Sequence, residues 1–214
     1  MNKRNLQKEL DAIIEKNRAE GVTPRLLMHA CCAPCSSYCL EYLSKYFEIT
    51  LFYYNPNIYP ESEYAKRADE VRKLAACLPA ENKISVEVCE FVPAEYYEAV
   101  RGLEKCREGG ERCEKCFRLR LGKAAAYAKE NGIELFTTTL SISPLKNAAL
   151  LCGIGEEEGE KNGVRYLPTD FKKKGGYLRS VELSREYGLY RQDYCGCAYS
   201  WAERQKEKET QPKA

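Results

Sequence analysis

Residues 25–39 read RLLMHACCAPCSSYC, and the order of these residue types decides the architecture. The apolar run 25–30 has the length of a buried strand. Cys31-Cys32-Ala33-Pro34 ends it, and Ser36 to Phe47 has helical spacing. The same alternation continues downstream. Strands are expected at 48–56, 83–91, 134–142 and 165–171, and helices at 61–77, 94–105, 116–130 and from Pro144 to Cys152. Strands separated by helices of about ten residues or more indicate a mostly parallel sheet in a doubly wound α/β fold. In such sheets ligands bind at the carboxyl ends of the strands. The cysteine-rich loop HACCAPC lies at that end of the first strand, in the place where nucleotide-binding relatives of this architecture carry a glycine-rich phosphate loop.

The boundaries follow from composition. Residues 1–24 form a charged, amphipathic N-terminal helix, 25–201 a single α/β catalytic domain, and 202–214 a charged tail expected to fray or be disordered. The N-terminus lacks the apolar core of a signal peptide, and no apolar run approaches the roughly 18 residues of a membrane span. The chain therefore reads as cytoplasmic, with no membrane partner. At 214 residues it can bury enough surface to fold without staples, so its 12 cysteines call for another explanation. Clustered cysteines in such a compartment bind metal or carry electrons. A net charge of +2 makes any nucleic-acid site a local patch. His29 is the only histidine, which excludes two-Cys-two-His zinc sites and two-His-carboxylate iron sites within one chain.

The cysteines fall into three clusters. In the first, Cys31, Cys32 and Cys35 join an adjacent pair to a C-x-x-C spacing at a helix start, where the helix dipole favours thiolates. Cys39, one turn further on, reads as packing. The second is GGERCEKCFRLRL, with Cys113 and Cys116 just before a basic helix. Together Cys31, Cys32, Cys113 and Cys116 suggest a four-cysteine site that could hold a metal. Spacing alone does not choose between zinc and a [4Fe–4S] cluster. The third is YRQDYCGCAYS, where Cys195 and Cys197 flank Gly196. C-x-C can bind metal or close a small, readily reduced disulfide suited to a redox relay. Cys77, Cys89 and Cys152 read as core residues, and Cys106 as a free surface thiol.

The stretches LLMHACCAPCSSY, LFYYNPNIYPESEYAKR, RCEKCFRLRL, FTTTLSISPLKN and TDFKKKGGYLRSVELSREYGLYRQDYCGCAYS occur in this order between Leu26 and Ser200. In this set of motifs the chain resembles the QueH-type epoxyqueuosine reductases, cobalamin-independent iron–sulfur enzymes. The resemblance implies a Rossmann-like fold akin to the nucleotide alpha-hydrolase or PP-loop type. It also implies the last step of queuosine biosynthesis, in which the epoxide oxygen of epoxyqueuosine at the tRNA wobble position is removed. Carried over by motif, Cys31, Cys32, Cys113 and Cys116 would ligate a [4Fe–4S] cluster, and Cys195 and Cys197 would form the redox-active disulfide. An additional mononuclear iron is implied beside the cluster, with Cys35 the nearest candidate ligand in sequence. An external electron donor is required.

Epoxide-to-alkene reduction takes two electrons and two protons and releases water. His29, Asp193 and Tyr194 are candidates for the acid. For RNA, Lys172, Lys173, Lys174 and Arg179 surround a glycine pair expected to be flexible, Arg118 and Arg120 follow the second C-x-x-C, and Tyr53, Tyr54 and Tyr59 are candidates for base stacking. Of Tyr53 and Tyr54, at least one is expected to be core. Two alternatives compete. An ATP-dependent tRNA thiolase or ATP pyrophosphatase would need a glycine in the first loop, where HACCAPCSSY has none. A zinc-stabilised RNA-binding module leaves Cys195 and Cys197 unused.

Overall fold

The computed structural model describes residues 4–210; the ends of the expected N-terminal helix (1–3) and tail (211–214) lie outside the described residues. The chain runs α1 (Leu6–Ala19), β1 (Arg25–His29), α2 (Ala33–Leu43), β2 (Glu48–Tyr53), α3 (Glu61–Cys77), β3 (Ile84–Val88), α4 (Pro93–Ala99), α5 (Glu111–Glu130), β4 (Leu135–Thr138), α6 (Ala148–Asn162), β5 (Arg165–Tyr166), α7 (Gly176–Glu186) and α8 (Ala198–Thr210). Five strands form one all-parallel sheet in the order β3-β2-β1-β4-β5. This is the expected doubly wound α/β fold.

Alternation along β1 sorts the core into two layers. Leu26 and Met28 face a cluster with Leu40 and Leu43 of α2 and Val71 and Leu74 of α3. Leu27 faces the other side, with Phe117 and Leu121 of α5 and Leu151 and Ile154 of α6. Side chains of successive strand residues point to opposite faces, so one strand serves both layers. Connections from β1 and β4 leave in opposite directions along the sheet, and the crevice between their carboxyl ends is the switch point at which such folds bind ligands.

Three boundaries shift the chemistry. β4 ends at Thr138, and 139–142 coil into a 3-10 turn instead of continuing as strand. β5 is two residues long. α5 begins at Glu111, so Cys113 and Cys116 lie inside the helix, one turn apart on one face, rather than ahead of it. The 175–176 glycine pair is not a loose hinge. A Cβ on Gly176 would stand 2.0 Å from the Phe171 carbonyl oxygen and 2.3 Å from the Tyr38 ring, so the first residue of α7 must be glycine to pack there. The charged tail is helical as far as Thr210.

A candidate thiol centre at the sheet switch point

Beyond His29 the chain bends through Ala30 and Cys31 into α2. Asn55 holds the bend by donating from Nδ2 to the Ala30 carbonyl at 2.9 Å. Cys32 occupies the N-cap of α2, where its Sγ accepts from the Cys35 amide at 3.4 Å. A serine or aspartate oxygen usually fills that position; here a sulfur does. The Cys31 amide donates to Thr139 Oγ1 at 3.4 Å, tying the bend to the 3-10 turn after β4. The result is a group of three sulfurs, on Cys31, Cys32 and Cys35, all within 4.8 Å of one another. Among the described residues no other such group occurs.

These sulfurs share charge unequally. Hydrogen bonds from the Cys32 and Cys35 thiols, reinforced by Arg120 and Lys146, hold the Cys31 thiol well below its ordinary range. Cys32 is pushed up to about 12 by its neighbour at Cys31, and Cys35 is raised by the same proximity. Cys31 is thus the first thiolate of the group. Cys39 is fully buried and donates from Sγ to the Cys35 carbonyl at 3.2 Å, as packing predicts.

α5 brings the second pair. Cys116 is buried against Tyr96, Val100 and Cys197, and burial pushes it up to about 12. Cys113 packs at the edge of the cluster that Cys31 also borders. Between them and the first loop runs Arg120, which is 2% exposed. Its charge is favoured by Cys116, Cys31 and Cys195, although burial opposes it. Arg120 was a candidate for RNA phosphate; its burial removes it from that role and makes it a counter-charge beneath the sulfurs. Arg118 is taken up by Glu114 and Glu157.

The C-terminal segment closes the site. Tyr194 donates from its hydroxyl to the Tyr59 carbonyl at 2.6 Å, and the Tyr59 amide donates to the Gly196 carbonyl at 2.8 Å. Gly196 has φ of +122°, and a Cβ there would lie 2.9 Å from Arg67 Nη1. Arg67 is 2% exposed, bonded through Nε to Glu63 Oε1 at 2.7 Å, and in electrostatic reach of Cys32. Glycine at 196 is therefore required by backbone conformation and by the guanidinium beneath it. Cys195 and Cys197 both carry free thiols here, Cys197 buried and Cys195 raised by burial.

A cavity of about 280 Å³ opens onto Cys31, Cys35, Cys195, Arg120 and Lys146, with Tyr177 among the residues that line it. Several expected roles change against it. His29 is fully buried, bonded at Nδ1 to Thr138 Oγ1 and faced at Nε2 by Arg120, and burial holds it near 3, so it stays neutral and is no acid. Asp193 lines the cavity but is paired with Arg204 and Lys208, which keep its carboxyl low. Both Tyr53 and Tyr54 are core, and only Tyr59 is exposed. Lys172 turns inward to the Ser141 carbonyl at 2.8 Å, Lys174 pairs with Asp11, and Arg179 pairs with Glu41 and Glu186. Cys152 is core as expected, whereas Cys77 is exposed. Arg67, Asn55 and Lys146 were not singled out by motif reading; the Glu63–Arg67 spacing of four on α3 was the one local signal for the first of them.

Comparison with known proteins gives the family. The family model described as "Epoxyqueuosine reductase QueH" matches residues 26–203. The chain belongs to the QueH family. A QueH relative from Streptococcus pyogenes serotype M1, named epoxyqueuosine reductase, is 46% identical over 183 residues, covering 85% of this chain and 72% of its own. The relative of that name from Staphylococcus epidermidis is 39% identical over 200 residues, 92% of this chain and 84% of its own. The one from Thermotoga maritima is 39% identical over 188 residues, 85% of this chain and 93% of its own. The QueH match spans every cysteine of the three clusters. No described helix is long and apolar enough to cross a membrane.

Proposed function

We propose that this QueH chain reduces epoxyqueuosine at the wobble position of tRNA to queuosine, in the cytoplasm and with an external electron donor. The observation that carries the reading is the gathering of Cys31, Cys32 and Cys35 at the switch-point cavity of a chain whose relatives are named for that reduction. At about 280 Å³ the cavity lies just below the roughly 300–1,000 Å³ of small-molecule sites, and its open mouth is where a base extruded from the anticodon would enter.

The trio Cys31, Cys32 and Cys35 suits a thiolate-bound metal, and Cys113 and Cys116 stand outside that close group. Cys31 is already acidic, and the buried cation Arg120 offsets negative charge around the sulfurs of Cys31, Cys116 and Cys195. In this reading Cys31, Cys32, Cys113 and Cys116 hold a [4Fe–4S] cluster, and Cys35 is the candidate for an additional iron. Such a cluster, when bound, supplies electrons one at a time. The protein's own part is distinct. Cys195 and Cys197 pass between dithiol and disulfide, supplying two electrons and two protons per turnover. Gly196 gives that pair its backbone freedom, and Arg67 with Tyr59 fixes where it sits. Lys173, Tyr177 and the cavity rim face the anticodon in this reading, because the other basic candidates are internally paired.

Anaerobically purified protein is expected to be brown, with a broad visible absorbance bleached by dithionite, and to convert epoxyqueuosine-containing tRNA. Colourless, zinc-loaded protein that leaves such tRNA unchanged overturns the reading.

A further inference from the structure

The cavity contains sulfur to give electrons but must also deliver a proton to oxygen, and several of its proton-bearing groups are already committed. Asp193 is an ion-paired carboxylate. Tyr194 donates to Tyr59. Ser180 donates to the Tyr177 carbonyl at 2.7 Å, and Arg191 to Ser180 and Ser184. His29 lies behind Arg120, outside the cavity lining, and carries no exchangeable charge near neutrality.

Lys146 differs from all of these. It lines the same cavity as Cys31, Cys35 and Cys195. Among the described residues its ammonium has no carboxylate within 4.0 Å and no hydrogen-bond acceptor. Its backbone is fixed on three sides. The Lys146 amide donates to the Ser143 carbonyl at 3.2 Å, its carbonyl accepts from Lys172 Nζ at 3.3 Å, and Asn147 caps α6 immediately after it. Burial works against its charge, but Cys195, Cys31 and Cys35 outweigh that and hold the ammonium protonated. An unpaired ammonium on an anchored backbone, lining the same cavity as the electron-donating sulfurs, is placed for a substrate oxygen.

We propose that Lys146 is a catalytic residue that binds the epoxide oxygen and protonates it as the carbon–oxygen bonds break. The inference rests on the proposed reduction. The balance closes with the dithiol of Cys195 and Cys197. Two carbon–oxygen bonds break and a carbon–carbon π bond and a disulfide form, so the epoxide is reduced and the thiols oxidised. Oxygen leaves as water with two protons. Lys146 gives one of them and recovers it from the second thiol, ending the cycle as ammonium. The external donor then reduces the disulfide.

The test compares wild type, Lys146→Met and Lys146→Ala in anaerobic turnover of epoxyqueuosine-containing tRNA, with tRNA affinity and visible spectrum measured on the same samples. Positioned acids contribute about 100-fold or more, so Lys146→Met is expected to lose at least about 100-fold in kcat. Its spectrum should remain unchanged, and its tRNA affinity should fall far less than kcat. Ethylammonium added to Lys146→Ala is expected to restore part of the turnover, which a purely structural lysine would not show. Retained turnover in Lys146→Met overturns the proposal. So does lost tRNA binding without rescue, which would make Lys146 a phosphate contact. A wild type that binds such tRNA but leaves it unreduced sinks the proposed function itself, and this inference falls with it.

Discussion

Arg120 Nε donates to His29 Nε2 across 3.3 Å, inside a shell from which both side chains are shut off from solvent. The Tyr54 carbonyl oxygen stands 3.2 Å from the same Nε2 and Thr138 Oγ1 stands 2.9 Å from Nδ1, so both ring nitrogens are partnered inside the core. The chain's one histidine is thereby a neutral strut between β1, β4 and α5.

That strut has a pH cost with a definite sign. Burial first, then Arg120, holds His29 near 3 in the folded chain, against about 6.5 unfolded. Below about 6.5 the unfolded chain takes up a proton that the folded chain refuses, so stability falls as pH drops toward 3. Each unit is worth at most about 1.4 kcal/mol. Urea melts of the metal-free protein at pH 7 and near pH 5 should show the loss, and His29→Gln should lose about 1–2 kcal/mol less over that interval. Equal slopes in the two proteins would refute the assignment.

The RLR of α5 contains two arginines of opposite worth. Arg118→Ala removes half-exposed ion pairs and is expected to change stability by about 0.5 kcal/mol or less. Arg120→Met strands Asn55, His29 and the sulfurs and is expected to cost about 3–5 kcal/mol. Denaturant midpoints at matched slopes decide it.

Gly196→Ala meets both the +122° backbone angle and Arg67 Nη1. A loss of about 1–3 kcal/mol is expected, with faster alkylation of Cys197 as the segment lifts off α3. Unaltered alkylation would mean that the segment tolerates the methyl group.

Cysteine variants separate ligands from redox thiols. Cys113→Ala is expected to abolish the visible absorbance, Cys195→Ala to keep it and lose turnover, and Cys39→Ala to do neither. A colourless Cys195→Ala would move that residue into the ligand set.

The parallel sheet was legible because RLLMHA, ITLFYY and ELFTT are apolar runs whose spacing leaves room for helices, and the active crevice followed from topology. The cysteine trio was legible as well, since C-C-x-x-C at a strand end keeps its sulfurs close whatever surrounds them. The charged residues were not. Lys172, Lys174, Arg179 and Arg120 resemble a solvent-facing basic surface in sequence. Their partners, Ser141, Asp11, Glu41 and His29, lie from about 30 to 160 positions away, and pairing at that range is decided only by the completed fold. Tyr53 and Tyr54 are both buried because β2 is covered on its two faces, as inner strands of parallel sheets are.

The partners of Asp193 carry a practical consequence. Arg204 and Lys208 stand on α8, beyond the last residue matched by the family model, yet they hold a side chain that lines the cavity. Trimming the chain at the family boundary would leave a carboxylate unpaired in the cavity wall, and a bulky fusion at the carboxyl end would load the same helix. Affinity handles for this protein belong at its amino end.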